Sequence, residues 1–151
     1  MATMSDATRD APPLVFDRPL LRRRLERAAR LGPEPFLLER AAEDMADRLA
    51  AVKRQFETAV DLGTPTDALA HALDGHAAVG RLFRAAPLAT GLVAPGVVAD
   101  EEALPFAAGS LDLVVSALSL QSVNDLPGVL AQVRRTLKPD GLFMAALFGG
   151  W

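Results

Sequence analysis

The sequence predicts an α/β fold with a doubly wound, mainly parallel sheet of about five strands behind an N-terminal helical extension. Three observations carry that expectation. Several short runs are apolar almost throughout, as strands buried on both faces must be. These runs alternate with stretches whose apolar residues recur at helical spacing. The 11 glycines and 11 prolines sit mostly between the runs, where they punctuate structure.

The first element is a helix over 16–31, FDRPLLRRRLERAARL, with Leu20, Leu21, Leu25, Ala28 and Leu31 at helical spacing. Asp17 can cap it, and Pro19 suits its first turn. A second helix is expected over 34–56, with a stripe of Leu38, Ala41, Ala42, Met45, Leu49 and Val52. Its acids and arginines alternate in the manner of i,i+4 pairs. ETAVDLG (57–63) then reads as a short buried strand with an acid at its end. TPTDALAHAL (64–73) reads as a helix, with Thr64 as N-cap, Pro65 in the first turn and Asp67 completing a capping box. Further strands are expected at 78–86, 96–100 and 110–118. A helix over 125–138 follows, and PDGLFMAALFGG (139–150) is a turn and a last strand, Gly141 permitting the turn. Asp112 is expected to cap the start of its strand, a structural role. Residues 1–15 read as a disordered lead-in, the helices as an extension over 16–56, and 57–151 as the α/β domain.

Composition excludes several functions. The chain of 151 residues has no cysteine, so disulfides, thiolate zinc sites and cysteine nucleophiles are out, and a reducing, cytoplasmic setting is expected. No apolar run reaches the roughly 18 residues that a membrane span needs, which leaves at most peripheral membrane association. The start, MATMSDATRDAPP, has no basic region followed by an apolar stretch. Residues 17–54 carry ten basic and seven acidic side chains, a net of +3, and residues 55–151 carry five and ten, a net of −5. The basic part reads as a solvated helix pair or a face for an acidic protein or membrane surface. It lacks the basic stripe with aromatic residues that nucleic acid would need. His71 and His76 have no third ligand nearby, so no metal site is expected. Ser116 and Ser119 lack a histidine partner, which argues against nucleophilic catalysis.

In a doubly wound sheet, ligands bind outside the carboxyl ends of the strands, near the switch point. The residues that matter are therefore 61–67, 85–88, 100–106 and 116–124. Four stretches there and around them form a pattern: FDRPLLRRRLERAA at the N-terminus, VADEEALPF (98–106), VSALSLQSVNDLPGVL (115–130) and LKPDGLFMAALFGG (137–150). Together they resemble the class I S-adenosylmethionine-dependent methyltransferases. Within that superfamily they resemble the branch of the mitochondrial complex I assembly factor 5 and its bacterial relatives, which is related to the malonyl-carrier-protein methyltransferases. The resemblance implies a Rossmann-like methyltransferase sheet and S-adenosylmethionine as cofactor. It implies that Asp61, Gly63 and Thr64 lie near the methionyl part, and that Asp100 and Glu101 border the adenine. Ser116 would also contribute to the cofactor site, while Leu118, Gln121 and Asn124 would line the acceptor pocket.

The chain departs from that family pattern at several points. The first motif normally carries three glycines at positions occupied here by Gly63, Pro65 and Asp67. Proline forbids positive φ and removes an amide donor, and Asp67 adds bulk and negative charge. A ribose-binding acid is expected after the second strand, where this chain has Ala86. Losing one charged hydrogen bond costs about 1.5–3 kcal/mol, or about 10- to 150-fold in affinity. Gln121-Ser122 stands where the branch often has His-Trp, and glutamine cannot titrate. The fold normally continues past its fifth strand, whereas this sequence ends at Trp151. An exposed sheet edge, and a homodimer through it, are therefore expected. Two functions follow from the resemblance. One is methyl transfer to a small-molecule or protein acceptor. The other is a non-catalytic assembly factor for a respiratory NADH dehydrogenase complex, its basic N-terminus docking a complex subunit.

Overall fold

The computed structural model describes residues 14–89 and 95–150, so most of the expected lead-in lies outside the described residues. The elements in chain order are α1 (Arg18–Leu31), α2 (Phe36–Ala50), β1 (Phe56–Leu62), α3 (Ala68–Leu73), β2 (Val79–Ala86), β3 (Gly96–Val98), β4 (Leu111–Ala117), a 3-10 turn (Leu120–Ser122), α4 (Leu126–Thr136) and β5 (Leu137–Ala146). The strands form one five-stranded sheet in the order β3-β2-β1-β4-β5, and every pairing is parallel. The chain winds outward from β1 to β3, returns to the other side of β1, and winds outward again to β5. The switch point therefore lies between β1 and β4, and the doubly wound class expected from the sequence is found.

Two apolar layers cover the sheet. On one face Leu38, Ala42, Met45 and Leu49 of α2 pack with Leu69 and Leu73 of α3 against Ala59, Leu113 and Val115. On the other, Val129 and Val133 of α4 pack against Val60, Leu62 and Val114. Two adjacent residues of one strand thus serve opposite cores, which is why β1 and β4 are apolar throughout rather than alternating. No described helix is long and apolar enough to cross a membrane.

Several boundaries differ from the sequence expectation, each for a physical reason. The second helix ends at Ala50, because residue 56 is already in the sheet: the Phe56 N–H donates to Ala78 O at 2.7 Å, and the ring is 1% exposed. Val52 consequently leaves the helical stripe. The third helix begins at Ala68 rather than Thr64, and no capping box forms. Asp67 is its N-cap without a side-chain cap bond, while Thr66 Oγ1 accepts from Ala68 N at 3.2 Å. Thr64 is spent elsewhere, as described below. The expected turn at 139–141 is absent. β5 begins directly after α4 and runs through Pro139 and Gly141, with a register irregularity opposite Leu111–Leu113. Gly141 is needed there for close approach rather than for positive φ: a Cβ would lie 2.8 Å from Leu137 and 3.0 Å from Lys138 O. Asp112 does its expected structural work, accepting from Thr58 N at 3.0 Å and from Lys138 Nζ at 2.9 Å.

The first helix is capped as expected, Asp17 Oδ1 accepting from Leu20 N at 2.9 Å. Its apolar stripe does not enter either core. No residue of α1 is buried, and Leu31 is 74% exposed. The helix instead lies across the carboxyl ends of the strands, where its Leu25, Ala28 and Ala29 face a cavity.

Candidate functional site

The site is built where β1 ends. Asp61 and Leu62 run into Gly63, whose φ of +74° suits a residue without a Cβ. Space imposes glycine a second time. A Cβ on Gly63 would collide with Ser119 Oγ and lie 2.6 Å from Glu101 Oε1. The turn after β1, the loop after β3 and the loop after β4 therefore meet over one glycine. Beside it opens a cavity of about 230 Å³, lined on the protein body by residues 63–67, Arg84 and residues 86–88, and roofed by Leu25, Ala28, Ala29 and Pro33.

Below the turn lies a buried polar network that the sequence reading missed. Arg84 on β2 is the register partner of Asp61 on β1. Its Nε donates to Asp61 Oδ2 at 3.2 Å, and its Nη2 donates to Thr64 O at 2.9 Å and Thr66 O at 2.6 Å. The two ion-pair side chains are 5% and 0% exposed. Thr64 Oγ1 donates to the other Asp61 oxygen and accepts from Ala117 N at 3.1 Å. Thr64 thus ties β1 to β4 instead of capping α3. Burial pushes the Asp61 carboxyl up to about 6, although Thr64 and Arg84 pull it down. The signal for Arg84 was present in the sequence: one arginine in the otherwise apolar run LFRAA, one strand away from one aspartate in AVDLG. Opposite charges in the buried halves of two adjacent strands are expected to pair.

Glu101 comes up beside Gly63, but neither it nor Asp100 lines the cavity, and both are held by an arginine. Arg18 of α1 donates to Asp100 Oδ1 at 2.7 Å, to Glu101 Oε2, and to Ser122 O at 3.2 Å. Glu101 is 4% exposed and also accepts from Ser119 Oγ at 3.0 Å. Burial raises the Asp100 carboxyl, but the Glu102 N–H and the Arg18 guanidinium outweigh it and hold the group below its ordinary range. Ala86, where the family resemblance leads one to expect an acid, lines the cavity, and its carbonyl accepts from Ala99 N at 3.0 Å.

The remaining expected residues divide. Ser116 is fully buried within β4, its Oγ without a hydrogen-bond partner, so it sits inside the sheet rather than on the cavity wall. Leu118 carries the positive φ of 52° that is the one non-glycine example among the described residues. Gln121 Nε2 holds that strained residue's carbonyl at 2.8 Å. Asn124 is not turned to a pocket. Its Oδ1 accepts from Val15 N and Phe16 N, both at 2.8 Å, and its Nδ2 donates to Phe16 O at 3.1 Å. A side chain with both amide ends used on backbone is a clamp for the N-terminal segment. The two histidines do not line the cavity: His71 stands behind its wall residue Asp67 at 3.5 Å, and His76 lies on Ala46 O at 3.1 Å. No group of metal-ligating side chains occurs among the described residues.

Comparison with known proteins agrees with this architecture. Residues 40–145 match a family described as methyltransferase domain. The chain is 40% identical over 148 residues to the mouse protein named arginine-hydroxylase NDUFAF5, mitochondrial, covering 90% of this chain and 43% of the relative. It is 33% identical over 154 residues to the malonyl-[acyl-carrier protein] O-methyltransferase of Methylovorus sp. (strain MP688), covering 89% and 52%. The chain thus spans about half the length of these relatives or less. Among solved structures, a complex between the Haloferax volcanii Trm112 methyltransferase activator and a methyltransferase matches with a TM-score of 0.70 and 25% identity, over 82% of this chain and 59% of that one.

Proposed function

The chain belongs to the methyltransferase domain family, and from that premise we infer that it binds S-adenosylmethionine, weakly, at the end of β1 and serves methyl transfer to an acceptor of small-molecule or protein class. The observation that carries this is the Gly63 turn. A positive-φ glycine stands at the switch point, and Glu101 and Ser119 fill the place of its missing Cβ. Protein side chains thus fix the turn as glycine, and its other side opens on the cavity at the switch point, where doubly wound sheets bind their ligands.

The turn at Gly63 supports this reading, while on the adenine side Asp100 and Glu101 are held by Arg18. Gly63 and Thr64 would meet its methionyl end, with Asp61 supporting the turn from below. Asp100 and Glu101 would face the adenine. Ala86 offers nothing to the ribose, which accounts for weak affinity. When bound, S-adenosylmethionine supplies an electrophilic methyl group, whose displacement asks the protein mainly for alignment. This chain's contribution is to hold the turn rigid through Arg84 and Thr64, to roof the cavity with α1, and to present Leu118 and Gln121 beside the turn. Gln121 has one buried oxygen without a partner. It can accept a hydrogen bond but has no proton to exchange, so its role is to position the acceptor.

The second reading is a non-catalytic assembly factor for a respiratory complex subunit. The Arg84 network favours it, because the turn's carbonyls and Asp61 are satisfied without any ligand. A thermal melt separates the two readings. Under the first, S-adenosylhomocysteine raises Tm with dose, approaching a stabilisation of about 2.7 kcal/mol at a hundredfold excess over Kd. An unmoved Tm at millimolar ligand would leave the second.

A further inference from the structure

The first helix is fastened to the body in an unusual way. It contributes nothing to either core, yet its inner side forms the wall of the cavity opposite the Gly63 turn. Its attachment is polar and concentrated at its N-terminal end. Arg18 is 15% exposed and takes three acceptors, on Asp100, Glu101 and Ser122. Asn124 holds Val15 and Phe16 by three more hydrogen bonds. At the other end stands Gly32, with φ +79° and nothing within 4 Å of where a Cβ would be. A glycine with free space on all sides is suited to absorb a change of backbone angle. Arg22 adds only a long, half-exposed contact to Asp100 at 3.4 Å.

We propose that α1 is a lid over the cavity, hinged at Gly32, and that Arg18 is its latch, holding the helix down through Asp100 and Glu101. Entry of a ligand that uses those two carboxylates then requires Arg18 to let go. The competition rests on the assignment of Asp100 and Glu101 to a nucleoside given above; the latch itself rests only on the geometry. Because the lid carries no core residue, it opens without unfolding the body.

The test compares the full chain with its Arg18→Gln and Arg22→Gln variants. Limited trypsin digestion without ligand reads cleavage between Arg22 and Arg30. The Arg18→Gln variant is expected to be cut about 10- to 150-fold faster, the loss of one charged hydrogen bond in open population. Arg22→Gln should stay near the parent rate, and both variants should melt with the parent. Cleavage of Arg18→Gln at the parent rate overturns the latch, and so does a melt in which α1 and the body come apart together. Titration with S-adenosylhomocysteine reads the competition. Tighter binding by Arg18→Gln supports it, and weaker binding shows that Arg18 grips the ligand instead. No binding by any variant would sink the cofactor assignment and the competition with it, while the cleavage rates still decide the latch.

Discussion

Asp61 and Arg84 put an ion pair where a cofactor-binding chain places its most exacting turn. Each neutralises the other, and together with Thr64 they hold the carbonyls of residues 64 and 66. Removing one partner of a buried pair leaves the other charged and unsolvated. Arg84→Met is therefore expected to cost about 3–5 kcal/mol in urea denaturation; a loss below about 1 kcal/mol would show the pair to be incidental. The acid of the pair also makes a specific pH signature. Burial holds Asp61 near 6 in the fold, against about 3.9 in the unfolded chain. Between those values the folded state holds more protons, so this group's contribution is full below about pH 3.9 and is lost as pH rises through about 6. Denaturation curves of Asp61→Asn against the parent should therefore converge toward low pH and separate toward neutral pH. A difference that stays flat across that window would refute the raised carboxyl. Arg84 was legible only in part from sequence. An arginine in the apolar end of a strand announces a buried partner, but the identity of that partner is a matter of register, which the Asp61–Arg84 alignment supplies.

At the scale of elements, period and burial were read well and endpoints poorly. The stripe of the second helix is a true core face, with Leu38, Ala42, Met45 and Leu49 all buried. Leu49 is fully enclosed between α2 and the sheet. Leu49→Ala should cost about 2–5 kcal/mol, measured by urea denaturation, whereas the same change at the 74% exposed Leu31 should cost almost nothing. Equal losses at the two sites would contradict the division between core helix and lid. The contrast also shows why the stripe of α1 misleads. Helical spacing states that a helix has an apolar side, not that the side is enclosed, and here it faces a cavity. TPTD misleads for a related reason. The capping box is locally sound, but Asp61 needs a donor in the core, and Thr64 is the nearest one. A tertiary demand outweighed a local preference worth about 1 kcal/mol.

For the whole molecule, the sheet was legible because parallel strands buried on both faces leave a sequence mark that few other structures share. The doubly wound class pointed to the carboxyl ends of the strands as the place of a site, while the strand order came only from the structure. What did not follow was how the site is finished: the Arg18 latch, the Asn124 clamp and the Arg84 support are contacts between segments 18 to 109 residues apart. Such pairings depend on tertiary placement and carry no local period. Under the function proposed above, the Gly63 turn still accepts the family's cofactor and affinity is limited chiefly by Ala86. Calorimetric titration of the parent chain and of Ala86→Asp with S-adenosylmethionine measures both. Weak binding by the parent is expected, and binding about 10- to 150-fold tighter by Ala86→Asp. A folded chain that binds nothing at millimolar ligand, in both forms, would contradict it.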